Sequence, residues 1–294
     1  MNKRKLFIVI ILIMIDKLLL AQMPNTSLYY LKCKKSKNAI YLSEAPIKIH
    51  SNQEYNNQAF FIDNNNFLYV KSDSNINTDI WLMNCTTFKE RQITFTLHEQ
   101  EYSPTLLPNF KSLSTVRIDA DKKQRLYQIN LEGNVIQCYN DSLTDIGYHT
   151  WINDTLYVGF FIGDTEKLYL KSTKKYSQWI CDKPGRGFKY IKAENKLYFI
   201  DKSNDEKWML KSYDLKNQSE QLLTEMPKGV EDLTLLNWKK KQFLICAFQN
   251  VILYYDIKNN TFEPLFDTAI TEGNITRIAV NKNSDKMIVV LNKK

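Results

Sequence analysis

The 294-residue chain is poor in glycine, with eight, and has only three histidines, His50, His98 and His149. Scarce glycine leaves the turns to Asn and Asp, which tolerate left-handed backbone and bond their own main chain. None of the histidines has a second His or a Cys at metal-ligand spacing, which excludes the usual zinc motifs. No Gly-x-Ser-x-Gly elbow, Walker loop or calcium loop occurs. Pro184-Gly185-Arg186-Gly187 lacks the following helix that a phosphate cradle needs. Helical periodicity is missing as well, since beyond residue 21 no run of ten residues sustains it. The five cysteines, Cys33, Cys85, Cys138, Cys181 and Cys246, stand 43 to 65 residues apart, too far for a redox or zinc pair. Their apolar neighbours mark them as buried small hydrophobes; an odd number leaves one or two disulfides plus a free thiol open.

The N-terminus has the layout of a secretory signal. Lys3, Arg4 and Lys5 precede the apolar run Leu6 to Ile15, and Leu18-Leu19-Leu20-Ala21 follows Asp16-Lys17. That charged pair interrupts the roughly 20 apolar residues a spanning helix requires, so cleavage after Ala21 is expected rather than an anchor. The expectation is a signal peptide over 1–21 and a single domain over 22–294, exported to the periplasm or cell exterior and not inserted in the membrane after cleavage. Of 40 basic and 32 acidic residues, four and one lie in 1–21, leaving 36 and 31 and a net charge of +5. The excess is spread out, and clusters such as Lys239-Lys240-Lys241 fall where turns are expected, so no nucleic-acid partner is expected.

What is present is a repeat. An apolar doublet or triplet after a polar hairpin recurs at Leu68, Leu113, Leu156, Leu197, Leu244 and Ile288, at steps of 45, 43, 41, 47 and 44 residues. Six units of that period predict an all-β, six-bladed β-propeller of four-stranded antiparallel blades. In the second unit the strands are expected at 103–107, 112–118, 125–130 and 135–139. After Ile288 the chain ends with no third strand, whereas Leu28-Tyr29-Tyr30 and Ala39 to Leu42 stand unused at the other terminus. A blade left at two strands would expose an unpaired edge, so these N-terminal strands are expected to complete the last blade and close the ring.

Several segments carry a resemblance. Ser103-Pro104-Thr-Leu-Leu-Pro108-Asn-Phe-Lys111 resembles the repeat hairpin of TolB-type β-propellers, and Ala59 to Val70 and Ile278 to Lys286 are similar to further copies. Glu101-Tyr102-Ser103-Pro104, Gln124-Arg125-Leu126-Tyr127 and Gly147-Tyr148-His149-Thr150-Trp151 resemble exported TolB-like proteins of the Bacteroidota. The resemblance implies a propeller used as a binding or scaffolding platform with a protein partner in the cell envelope.

In a propeller the innermost strands line a central channel, so residues about eleven before each second-strand Leu are expected to cluster at its mouth. Counting back gives Asn57, Tyr102, Arg186 and Arg277, with Glu231 or Asp232 in the fifth unit, His149 in the third and Glu101 beside Tyr102. Either these groups satisfy one another and hold blades in register, or the arginines, His149 and Tyr102 receive an anionic or sugar-like ligand. Lacking metal motifs and paired catalytic carboxylates, the sequence is read as a non-enzymatic binding module without a cofactor. The alternative is a propeller enzyme or a small-ligand sensor working from the channel mouth. Among the tryptophans, Trp81 and Trp151 are expected in the core and Trp238 at the surface.

Overall fold

The structure, a computed structural model, describes residues 23–50, 54–73, 77–139 and 144–293. The expected signal peptide lies outside these residues. Among them the chain forms 25 strands and no helix, and no helix is long and apolar enough to cross a membrane.

Six antiparallel sheets form the blades. Blade I holds β4 (Asn56–Phe61), β5 (Asn66–Asp73), β6 (Asn77–Asn84) and β7 (Glu90–Gln92). Blade II holds β8 (Gln100–Leu106), β9 (Leu113–Ile118), β10 (Gln124–Ile129) and β11 (Val135–Cys138), close to expectation, although the inner strand starts three residues early. Blade III comprises β12 (Ile146–Asn153), β13 (Leu156–Phe161), β14 (Lys167–Ser172) and β15 (Ser177–Asp182). Blade IV comprises β16 (Pro184–Ile191), β17 (Lys196–Asp201), β18 (Met209–Asp214) and β19 (Ser219–Glu225). Blade V comprises β20 (Thr234–Trp238), β21 (Lys241–Phe248), β22 (Val251–Asp256) and β23 (Thr261–Asp267).

Second strands are apolar without alternation because each blade is covered on both faces by its neighbours. Phe67, Leu68, Tyr69 and Val70 on β5 are all fully buried, as are Leu197, Phe199 and Ile200 on β17. The turns use Asn and Asp as anticipated: Asp63 Oδ1 accepts from the backbone N–H of Asn65 and Asn66, each at 2.7 Å. Asp214 Oδ1 does the same for Lys216 and Asn217 at 2.8 and 2.9 Å. Cys33, Cys85, Cys181 and Cys246 are buried free thiols.

Blade VI is built from both ends of the chain. β24 (Gly273–Val280) and β25 (Lys286–Lys293) come from the C-terminus, and β1 (Thr26–Lys35) pairs with β25 from Thr26↔Asn292 through Lys32↔Lys286. Two short strands share the outer edge of β1: β2 (Ile40–Leu42) covers Cys33 to Lys35, and β3 (Ile47–His50) covers Leu28 to Tyr30. The second of these was not anticipated. Ten-residue β1 is longer than three-residue β2 can cover, and β3 satisfies the remaining edge. The closed seam is then tied to blade I, where Thr26 Oγ1 donates to Asn56 O at 2.7 Å and accepts from Asn56 N at 2.9 Å.

Leu31, fully buried on β1, packs in the same cluster as Ile245, Val289 and Leu291. Leu31→Ala is expected to lower global stability by about 2–5 kcal/mol in one cooperative transition. Urea denaturation followed by circular dichroism checks this; a separate early transition confined to the N-terminal strands would contradict it.

Candidate functional site

The inner strands β4, β8, β12, β16 and β24 each break register near the channel. Such bulges insert a residue, reverse the side-chain alternation and re-aim the side chains beyond the insertion. In β4 and β8 the break places Gln58 and Ser103 at positive φ, 53° for both. It also turns Gln58 and Ser103, rather than Asn57 and Tyr102, toward the channel.

Bonds between inner strands make a belt. Gln58 Oε1 accepts from Ser103 N at 2.5 Å, and Ser103 Oγ donates to Gly147 O at 2.9 Å. Gly187 N donates to Glu231 O at 2.7 Å, and Asp232 Oδ2 accepts from Ile278 N at 3.0 Å. Arg277 reaches across to blade III, where its Nη2 donates to Tyr148 OH at 2.9 Å and its guanidinium carbon lies 5.0 Å from the Tyr148 ring centre.

The belt surrounds a cavity of about 100 Å³. Of the residues anticipated at the mouth, His149, Arg186, Asp232 and Arg277 line it; Glu231 lines an adjoining mouth pocket of about 380 Å³ with three of them. Asn57 is buried with its Oδ1 accepting from Gln58 N at 2.8 Å. Tyr102 packs edge-on to Tyr55 and donates to Gln100 Oε1 at 3.0 Å. Glu101 is 1% exposed between blades I and II, with its Oε2 unpartnered. Burial pushes its carboxyl up to about 7; Thr94 opposes the shift and Asp79 adds to it.

Lys189 and Tyr148 also line the cavity and were missed by the count. The spacing rule assumes strict alternation, and the bulge between Pro184 and Phe188 puts Arg186 and Lys189, three apart, on one side. Arg186 Nε lies 2.9 Å from Glu231 Oε2, within ion-pair range but off hydrogen-bond alignment, and Glu231 also takes Lys202 Nζ. Lys189 has no ion-pair partner among the described residues. Burial lowers its pKa, Asp232 opposes the shift and Arg277 adds to it. For Arg277 burial also acts against charge, but Tyr148 and Asp232 outweigh it and the pKa is raised. Arg186 is answered by Glu231 at the mouth, which leaves Lys189 and Arg277 with Asp232 as the one carboxylate in the cavity lining.

His149 is 8% exposed, and burial, reinforced by the Lys189 charge, pushes its pKa down to about 3. It is a neutral imidazole at ordinary pH. Its Nε2 is 2.6 Å from Ser114 Oγ, which also accepts from Trp151 Nε1 at 2.8 Å, while Nδ1 has no partner. Ser114 is fully buried, which seals this hydroxyl from any substrate in the cavity. Its role is to fix the imidazole. Trp151 is core as expected, but Trp238 is not at the surface: it is 8% exposed and donates to Ser36 O at 3.0 Å, whereas Trp179 is 54% exposed.

Superposition on solved structures matches the putative TolB from Agrobacterium tumefaciens with a TM-score of 0.68 at 10% identity, over 92% of this chain and 99% of that one. TolB from Acinetobacter baumannii matches with a TM-score of 0.58 at 12% identity over 92% of this chain, which spans 64% of that protein's length. The fold is that of the TolB-like propellers. An oligogalacturonate lyase in complex with manganese matches at a TM-score of 0.51 and 11% identity, over 90% of this chain and 97% of that one. No family model and no curated protein matches the sequence.

The lyase overturns the expectation that the chain is not an enzyme. A propeller draws its channel residues from strands more than 40 residues apart, so the lack of a short catalytic motif excludes nothing. Among the described residues no three His, Cys, Asp or Glu side chains converge as metal ligands.

Two expectations arise from the packing. A Cβ on Gly187 would lie 2.1 Å from Leu233 N and 2.7 Å from Asp232 Cα, so Gly187→Ala is expected to cost about 1–3 kcal/mol and push Asp232 from the channel, as thermal melts and a crystal structure would show. The Glu101 carboxyl keeps its proton to about pH 7 when folded, against an ordinary value of 4.5. Its stabilising contribution is thus complete below pH 4.5 and lost as pH rises through 7. Comparing Glu101→Gln with wild type by denaturation from pH 4 to 8 should remove a decline of about 3 kcal/mol.

Proposed function

We propose that this chain is an exported TolB-like propeller that works as a binding module in the cell envelope, and that its ligand presents an anionic group to the channel mouth. The single observation that carries this reading is the unmatched charge around the cavity. Lys189 and Arg277 share the single carboxylate of Asp232 in the cavity lining, Arg186 being answered by Glu231, and Lys189 forms no ion pair among the described residues. Lys189 is half-buried, so its ammonium is partly removed from water without a paired carboxylate, and a carboxylate or sugar acid arriving between Lys189 and Arg277 would relieve that cost. A cavity of about 100 Å³ admits the charged end of a ligand, whose remainder would stay in the wider mouth pocket beside Glu231. The basic, apolar and small-residue order of residues 1–21 supports export.

Removing the half-buried Lys189 cation separates stability from binding. Lys189→Met is expected to raise the melting temperature while weakening the binding of small carboxylates and sugar acids at least tenfold, measured by calorimetry on the same preparation. Equal affinity in wild type and variant, or no anion bound by either, would sink the reading.

A further inference from the structure

A second site lies on the opposite face, where the hairpins after the inner strands project. A groove of about 1220 Å³ runs along that end of blade V, between the turn at 192–195 and Lys35 of blade VI. Five lysines face it: Lys35, Lys239, Lys240, Lys241 and Lys258. None forms an ion pair among the described residues. The two acids in the lining are already engaged: Glu194 accepts from Tyr198 OH, and Asp256 accepts from Lys258 N and Asn259 Nδ2, both at 2.9 Å.

The floor is aromatic. Trp238, Phe243 and Tyr254 pack against one another with ring centres 5.8 to 6.4 Å apart, and Ile257 on the rim is 66% exposed. Two of the lysines stand at a tight turn. Lys239 and Lys240 form a two-residue hairpin with φ of 51° and 60°, the geometry that Asn-Gly adopts at least cost. Positive φ recurs at other turns of this chain, such as Lys122 and Gln218, and here the turn brings two ammonium groups to the groove.

We propose that this groove docks an acidic segment of a protein partner, with Asp or Glu side chains flanking an apolar anchor. Charge complementarity selects an anionic occupant, because five lysines outnumber the two carboxylates of the lining and none of them forms an ion pair among the described residues. The floor selects a peptide over a polysaccharide. Lys239 Nζ covers the Trp238 ring at 3.9 Å and Phe243 meets Tyr254 edge-on at 82°, leaving ring edges and Ile257 for one apolar side chain instead of an open face for a sugar. This site goes beyond the channel reading and shares no residue with it.

The test is selection of a random 12-residue display library on the protein, followed by affinity measurements on synthetic copies of the enriched peptides. The expected peptides carry Asp or Glu around one aromatic or aliphatic residue and bind more weakly as salt rises. The combined variant Lys239→Glu, Lys241→Glu, Lys258→Glu should weaken them at least tenfold, and Ile257→Asp should weaken them as well. Lys189→Met should leave them unchanged, so this proposal and the channel reading fail separately. No acidic enrichment, retained affinity in the lysine variant, loss in Lys189→Met, preference for a polyuronate oligosaccharide, or self-association of the protein through this face would each overturn it.

Discussion

The structure depends on one backbone pairing, β1 against β25. A propeller is a stack of sheets bent into a ring, and without that pairing blade VI is two strands facing a gap. Seven register pairs from Thr26 to Lys32 close it, and β2 and β3 then protect the outer edge. Because the edge is consumed inside the molecule, β25 is paired on both sides and offers no row of free backbone donors to another chain. The seam also carries side chains from both termini into shared cores: Leu28 and Tyr30 pack with Phe67 of blade I, and Leu31 packs with Ile245 of blade V. A break there removes support on both sides, which ties the ends of the chain to the stability of the whole.

Five of the six inner strands carry a bulge, and at those of β4, β8, β12 and β16 a backbone group or polar side chain bonds to a neighbouring blade. Ser103 shows the consequence: at positive φ it binds Gln58 on one side and Gly147 on the other. Gly187 is needed for the same reason, since the 231–233 segment passes where a Cβ would stand. The geometry that holds the blades together is thus also what aims Arg186, Lys189 and Arg277 inward.

Those groups sit where burial and charge oppose one another. Burial makes His149 neutral and lowers Lys189, while Tyr148 and Asp232 keep Arg277 ionised. An arrangement that only braced neighbouring blades would match cations with acids, as Asp119 does for Arg117 and Arg125 at 2.8 and 2.7 Å. In the channel Glu231 answers Arg186 in this way but Lys189 forms no ion pair, and none of the lysines of the groove on the far face forms one among the described residues. Both places hold charge that the fold itself leaves unanswered, the pattern expected of recognition surfaces.

The sequence by itself determined the period, the number of blades and the circular closure, because apolar triplets covered on both faces and a missing third strand are local features of the chain. It also pointed to His149, Arg186, Asp232 and Arg277, since counting from a repeated Leu works where strand parity survives. Lys189 and Tyr148 were illegible because a bulge shifts parity without leaving a residue signature. Ser114 was illegible as the partner of His149 because it lies 35 residues away on the next blade. Trp238, beside three lysines in a turn, looked exposed, and only the approach of Ser36 from the closing strands buries it. Which side chains face the channel, which cations go unpaired and where β3 lies were decided by the tertiary structure. They depend on distances between blades, and those exist only after the ring has closed.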